Sequence, residues 1–194
     1  NGRRGLRRYC EAGGSRDSGA GRSGTAYHSL PIGKPCDAFY MDQQIINLAI
    51  VFSAKYLPFL VFLGVLVWFA LNLRRTIFWE LAGAAILSRL VITELIRLLW
   101  HRTRPFIELG FQPLIAHSAS ASFPSGHAAF FFALSGVVFG YDKKAGALFL
   151  LLSAVMAVSR VFVGIHWASD VLGGAVIGIG SAAVAMYFLK NRKI

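Results

Sequence analysis

The chain has 194 residues, 56% of them hydrophobic and only 15% charged, and a mean hydropathy of +0.57; this is too apolar for a water-soluble domain of that length and places it in a bilayer. The formal charge of +11 does not point to nucleic acid, because the basic residues fall in the first forty positions, at the ends of apolar runs and inside short motifs, with no basic stripe on a polar face. Both cysteines, Cys10 and Cys36, precede Met41, which excludes a disulfide framework or thiolate metal centre over the rest of the chain.

Residues 1–40 are rich in Gly, Ser and Arg, without an apolar period or the apolar run of a signal peptide. They read as a disordered basic extension that is not native to the protein, with the membrane-embedded domain running over 41–194. Asp42 to Ala54 sets Ile45, Ile46, Leu48 and Phe52 among polar neighbours, the pattern of a short interfacial helix. Tyr56 to Leu73 is uncharged and close to the ~20 residues that cross a ~30 Å hydrocarbon core, so it is the first span, bounded by Arg74-Arg75. Ile77 to Trp100 is the second; its Glu80, Arg89, Glu94 and Arg97 must face protein, water or headgroups. Pro105 and Pro113 keep Arg104 to Phe123 irregular, a loop lying over one end of the bundle. Three further spans follow: Gly126 to Gly140, Ala145 to about Val163, and Ser169 to Leu189. In the last, Gly173, Gly174, Gly178 and Gly180 let helix backbones approach closely. The expected fold is all-α: a polytopic bundle of about five transmembrane helices plus an N-terminal interfacial helix.

Arg74-Arg75, Lys143-Lys144 and the group Lys190, Arg192 and Lys193 cap alternate span ends on one side, which the positive-inside bias makes cytoplasmic. The polar motifs then fall on the outer face. In that orientation the tail would have to be translocated with seven basic residues, a second reason to read 1–40 as foreign.

Pro124-Ser125-Gly126-His127 opens the third span, where free backbone N–H groups and the positive end of a helix dipole make a phosphate seat. Ser159-Arg160 ends the fourth span, followed by His166 and Asp170, four apart, so that on a helical turn the carboxylate reaches one imidazole nitrogen and leaves the other free. A histidine so oriented is a nucleophile or a base. Arg97 and Arg104-Pro105 close the second span. Without such context His166 could equally be a structural partner of Asp170, and the arginines snorkelling anchors, which suffices for Arg102 and Lys55. Phe59 to Phe62 and Phe130 to Phe132 read first as lipid-facing or packing surface and only second as a groove for a lipid chain. No H-E-x-x-H, carboxylate cluster or Cys pair indicates a metal centre.

Taken in order, these pieces read K-x6-R-P, P-S-G-H and S-R-x5-H-x3-D, with Arg97 in place of the first Lys, and over roughly Met41 to Lys190 the chain resembles the phosphatidic acid phosphatase type 2 superfamily. The stretch Phe111 to His127 is similar to the bacterial undecaprenyl-diphosphate phosphatases linked to bacitracin resistance. The resemblance implies metal-independent hydrolysis without a cofactor, in which His166 attacks phosphorus to give a phosphohistidine and Asp170 holds the attacking tautomer. His127 protonates the departing oxygen and later activates water. Arg97, Arg104, Ser125, Gly126 and Arg160 bind the phosphate. It implies a multi-pass enzyme of the bacterial inner membrane with its site on the outer face. Its partners are an isoprenoid lipid diphosphate and membrane lipids, with phosphatidate or phosphatidylglycerol phosphate as alternative substrates. A non-catalytic membrane scaffold or transporter component is the alternative of another class.

Overall fold

The computed structural model describes residues 36–190. The chain divides into two compact units between Ile46 and Asn47, and everything below concerns the second. All described secondary structure is helical: α1 (Cys36–Lys55), α2 (Leu57–Leu71), α3 (Arg75–Ala85), a π-helical stretch (Ile86–Ile92), α4 (Thr93–Leu99), α5 (Pro105–Glu108), α6 (Gly126–Tyr141), α7 (Lys143–Phe162) and α8 (Ala168–Lys190). The expected disorder of residues 1–40 lies outside the described residues as far as position 35; α1 begins at Cys36, ahead of the change of composition at Met41.

Helix stands at each of the five expected spans. Among the described residues, α7 and α8 are each long and apolar enough to cross a membrane, and α1 with α2, bent by 44° across Tyr56, makes up to a third such span. The apolar α6 is shorter. The helical backbone continues from α3 through the π stretch into α4 and carries five charged side chains, Arg75, Glu80, Arg89, Glu94 and Arg97, which must face protein, water or headgroups.

Helix α6 is the centre of the bundle, packed against α8, α7, α3 and α2. Its Phe131, Val137 and Val138 meet Val61 and Val65 of α2, Ile77 and Ala84 of α3, Met156 of α7 and Ala182 of α8 in one buried core. Small residues set the spacing. A Cβ on Gly174 would stand 2.6 Å from the Ser125 carbonyl oxygen, and one on Gly178 would stand 2.5 Å from that of Ala129, so α8 lies directly on the α6 backbone.

The α6–α7 turn is tight because Asp142 caps α7, its Oδ1 accepting from Lys144 N–H (2.9 Å) and Ala145 N–H (3.0 Å); these donors, that of Ala145 first, hold its carboxyl below the usual range. Asn72 and Arg74 share one cavity of about 400 Å³ with Tyr141, Asp142, Lys143 and Lys144, so two of the three basic turns occupy the same end of the bundle. The opposite end is stitched by the loop before α6: Leu114 N–H donates to Val163 O (3.2 Å), Ser122 N–H to Arg102 O (2.9 Å) and Ser125 N–H to Asp170 O (2.9 Å).

Candidate active site

That last bond joins two of the three motifs. It seats the N-terminus of α6 against the first turn of α8, so the P-S-G-H segment and Asp170 are positioned by the same contact. Ser125 is the N-cap, its Oγ accepting weakly from Ala128 N–H at 3.5 Å, and the N–H groups of Gly126 and His127, in the first turn of α6, have no intrahelical acceptor.

His166 sits in the turn between α7 and α8, 2% exposed. Its Nδ1 stands 3.5 Å from Oδ2 of the fully buried Asp170, an ion-pair separation too long for a well-formed hydrogen bond. Nε2 is thereby the nitrogen left free. Burial, opposed by the Asp170 carboxylate and reinforced by the charges of Arg104 and Arg160, pushes the imidazole down to about 4, so it is neutral at pH 7. The His117 ring stands edge-on to it at 6.5 Å between centroids, and burial lowers the His117 pKa too.

Asp170 is held by more than the sequence suggests. Its Oδ2 accepts from the Ser122 hydroxyl and from Trp167 N–H (2.8 Å), and its Oδ1 from Arg102 Nη1 (3.0 Å). Arg102 also donates to Ser169 Oγ (2.7 Å) and lies over the Trp167 ring at 5.4 Å. Reading Arg102 as a snorkelling anchor is therefore wrong: its guanidinium is tied to the carboxylate.

The three motif arginines differ. Arg104, almost wholly buried, spends its fork on the protein, donating from Nε to Ser120 O (2.8 Å), from Nη1 to Ile165 O (2.9 Å) and from Nη2 to Ser120 Oγ (3.0 Å) and Ala121 O (3.3 Å). Burial lowers its pKa, yet it remains charged. Arg97 donates from Nη2 to Pro124 O (3.0 Å) and from Nη1 to Glu94 Oε1 (3.4 Å). This pair of contacts suits the planar fork that replaces the Lys of the K-x6-R-P pattern. Arg160 donates from Nη1 to Ala54 O (3.2 Å). Nε of Arg97 and Nε of Arg160 are buried with no hydrogen-bond acceptor among the described residues, a disposition that suits an anion.

A cavity of about 540 Å³ opens at this end. Gly126, His127, His117, Arg160, Arg89 and Lys55 line its polar part, and Phe59, Phe62, Phe130 and Phe131 its apolar wall. His166, Arg97, Arg104, Ser125 and Asp170 are not among the residues that line it. Arg89 was seen in the sequence only as a charge needing a polar environment, and the structure sets it in the cavity. Among the described residues, no group of three or more His, Cys, Asp or Glu could hold a metal ion.

Residues 77–194 match the PAP2 superfamily. The chain is 29% identical over 143 residues to the bacitracin transport permease protein BcrC of Bacillus licheniformis, covering 73% of this chain and 70% of that protein. It is 37% identical over 98 residues to the undecaprenyl-diphosphatase BcrC of Bacillus subtilis (strain 168), covering 50% of this chain and 51% of that one. Against that second relative the chain spans about half of its length. The crystal structure of Aquifex aeolicus LpxE superposes with a TM-score of 0.62 at 22% identity, over 74% of this chain and 86% of that one, a likeness of fold.

Proposed function

The chain belongs to the PAP2 superfamily of phosphatases, and on that premise we propose that it removes the terminal phosphate of undecaprenyl diphosphate, returning the monophosphate carrier used in cell-wall synthesis. The observation that carries this reading is the single cavity in which Arg89, His127 and Arg160 meet an aromatic wall of Phe59, Phe62, Phe130 and Phe131. Such a cavity suits an anionic head on an apolar chain. The name of the Bacillus subtilis relative, an undecaprenyl-diphosphatase, supports the same substrate.

Nε2 of neutral His166 attacks the terminal phosphorus in line with the bridging oxygen. The N–P bond forms as the P–O bond breaks, and the electron pair stays on the oxygen of the departing lipid monophosphate, which His127 protonates. Asp170 stabilises the imidazolium as it gains charge. Arg160 and the N–H groups of Gly126 and His127 face the phosphoryl oxygens, while Arg97 and Arg104, outside the cavity lining, add positive charge and Arg104 fixes the loop. His127 then takes a proton from water, whose oxygen attacks the phosphohistidine and releases phosphate. No step calls for a metal, so EDTA should leave the rate unchanged and vanadate, which mimics the five-coordinate phosphoryl group, should inhibit.

The site faces the outer side of the inner membrane in this reading, because the basic turns at the other end favour the cytoplasm. Phosphate release by the purified protein from undecaprenyl diphosphate, phosphatidate and phosphatidylglycerol phosphate tests the substrate. A higher kcat/KM for either glycerolipid would reassign it, and no release from any would favour a non-catalytic membrane scaffold.

A further inference from the structure

We propose that Arg89 binds the second phosphate of a lipid diphosphate, the one that stays with the lipid, and so makes the site prefer diphosphates over monophosphates. The inference rests on the diphosphatase reading and adds a residue outside all three motifs.

Arg89 lies eight positions before Arg97 on the same continuous helix. At 3.6 residues per turn the two side chains would point roughly 80° apart. The intervening π stretch, Ile86–Ile92, takes roughly one more residue per turn than an α-helix and so rotates the upstream part of the helix relative to Arg97. Thr93 seals it, with its backbone N–H and its Oγ1 (2.7 Å) both donating to Ser88 O. As a result both guanidinium groups reach the same oxygen, Oε1 of Glu94. Glu94 offsets the repulsion between two arginines that would otherwise splay apart.

Arg89 also lies across the start of α6. A Cβ on Gly126 would meet its Nε at 2.8 Å and its Cζ at 3.1 Å, so glycine at that place leaves room for the guanidinium against the phosphate seat. One N–H of Arg89 goes to Glu94; among the described residues the others have no acceptor, and the side chain lines the cavity with His127, Arg160 and the aromatic wall. With a terminal phosphate seated at Gly126 and His127, the lipid-borne phosphate is one P–O–P bridge away, and in this proposal it sits on Arg89, which lines the same cavity.

The chemistry gives this charge a role. When the bridging P–O bond breaks, its electron pair remains on the lipid-borne phosphate, which becomes a monoester, and negative charge builds there ahead of proton transfer from His127. An arginine there stabilises the leaving group as charge develops. A lipid monophosphate such as phosphatidate has no second phosphate, and its leaving oxygen belongs to an alcohol, so it gains little from the same side chain.

The test compares Arg89→Gln and Arg89→Lys with the wild type, purified in detergent, on undecaprenyl diphosphate and phosphatidate, with inorganic pyrophosphate and inorganic phosphate as inhibitors. For Arg89→Gln the ratio of kcat/KM on diphosphate to that on monophosphate should fall by about 30-fold or more, out of the roughly 100-fold that one preorganised donor supplies. Arg89→Lys should recover part of it. Inhibition by pyrophosphate should weaken far more than inhibition by phosphate. An equal loss on both substrates, or an unchanged ratio, overturns the role of Arg89 while leaving the diphosphatase reading intact. A wild type inert towards undecaprenyl diphosphate but active on phosphatidate overturns that reading instead. In that case a wild type inhibited no better by pyrophosphate than by phosphate removes the second-phosphate site as well. If Arg89→Gln fails to fold, Arg89→Lys and the two inhibitors decide by the same criteria.

Discussion

Nδ1 of His166 faces Oδ2 of Asp170 at 3.5 Å, while the same carboxylate takes three shorter contacts from Ser122, Trp167 N–H and Arg102. The carboxylate is thus anchored by its other partners and free to tighten onto the imidazole as positive charge forms there, as catalytic bonds in unliganded sites commonly do. His166→Ala should abolish phosphate release. Asp170→Asn, which keeps the shape and loses the charge, should cost about 10⁴-fold in kcat, by analogy with the serine-protease triad. Near-wild-type turnover of His166→Ala would remove the nucleophile from the mechanism.

The anchoring can be tested apart from the nucleophile. Arg102→Ala removes a 3.0 Å ion pair to a fully buried carboxylate; with the arginine partly in solvent, the expected loss is about 2 kcal/mol, below the 3–5 of a fully buried pair. Ser122→Ala should cost about 1 kcal/mol. Both should lower kcat more than they raise KM, because they act through Asp170. Ser118→Ala, in the same loop, should do neither. A change confined to KM would show that these residues touch substrate directly.

Acid titration reads the burial of His166. The neutral imidazole attacks, and its pKa is pushed down to about 4, so the acid limb of kcat/KM should fall near there and not near the ordinary value of about 6.5. Asp170→Asn removes an influence that raises the pKa, and should move the limb lower still. Because the unfolded chain takes up the proton more readily, the contribution to stability is complete above about 6.5 and is lost as pH falls towards 4. Thermal unfolding across that range checks the sign. An acid limb near 6.5 would mean that the ring is far more accessible than the structure has it.

The sequence made much of this readable. Apolar runs mark most of the spans, and the fixed spacings within Arg97 to Asp170 pick out the residues of the candidate site, because both are patterns along the chain. What escaped is what only folding brings together. Ser122 and Arg102 meet Asp170 across 48 and 68 positions, and no local spacing links them. Arg89 escaped because a search for period 3.6 cannot register a π turn. Arg104 was readable as a charge, yet its donors prove to be taken by carbonyls of the loop and the α7–α8 turn.

Helix spacing gives a structural test. A Cβ at Gly174 meets the Ser125 carbonyl at 2.6 Å, backbone that cannot swing aside, whereas one at Gly180 meets nothing within 4 Å. Gly174→Ala should lower stability by roughly 1–3 kcal/mol and should depress activity further, because the strained contact lies beside the bond that joins Asp170 to the α6 N-terminus. Gly180→Ala should be neutral or stabilise by about 0.5–1 kcal/mol. Equal melting temperatures for the two variants would refute the close approach of α8 to α6.

Sidedness is open to labelling in intact cells. In a variant with Cys10 and Cys36 replaced, Ser118→Cys in the loop over the site should react with a membrane-impermeant maleimide from outside. Lys144→Cys, in the basic turn at the far end, should react only after lysis. The reverse pattern would turn the enzyme over and move it to the cytoplasmic pool of lipid phosphates.

The aromatic wall of the cavity is itself part of the outer surface of the bundle, since Phe59 is 71% and Phe62 41% exposed. A substrate tail need never leave the hydrocarbon to bring its head to His127 and Arg160; it can slide in sideways between α2 and α6. Encounter then takes place in two dimensions, and the concentration that governs turnover is the mole fraction of substrate among the surrounding lipids. Diluting the substrate with inert lipid at constant bulk concentration slows such an enzyme, and diluting the whole suspension with buffer does not.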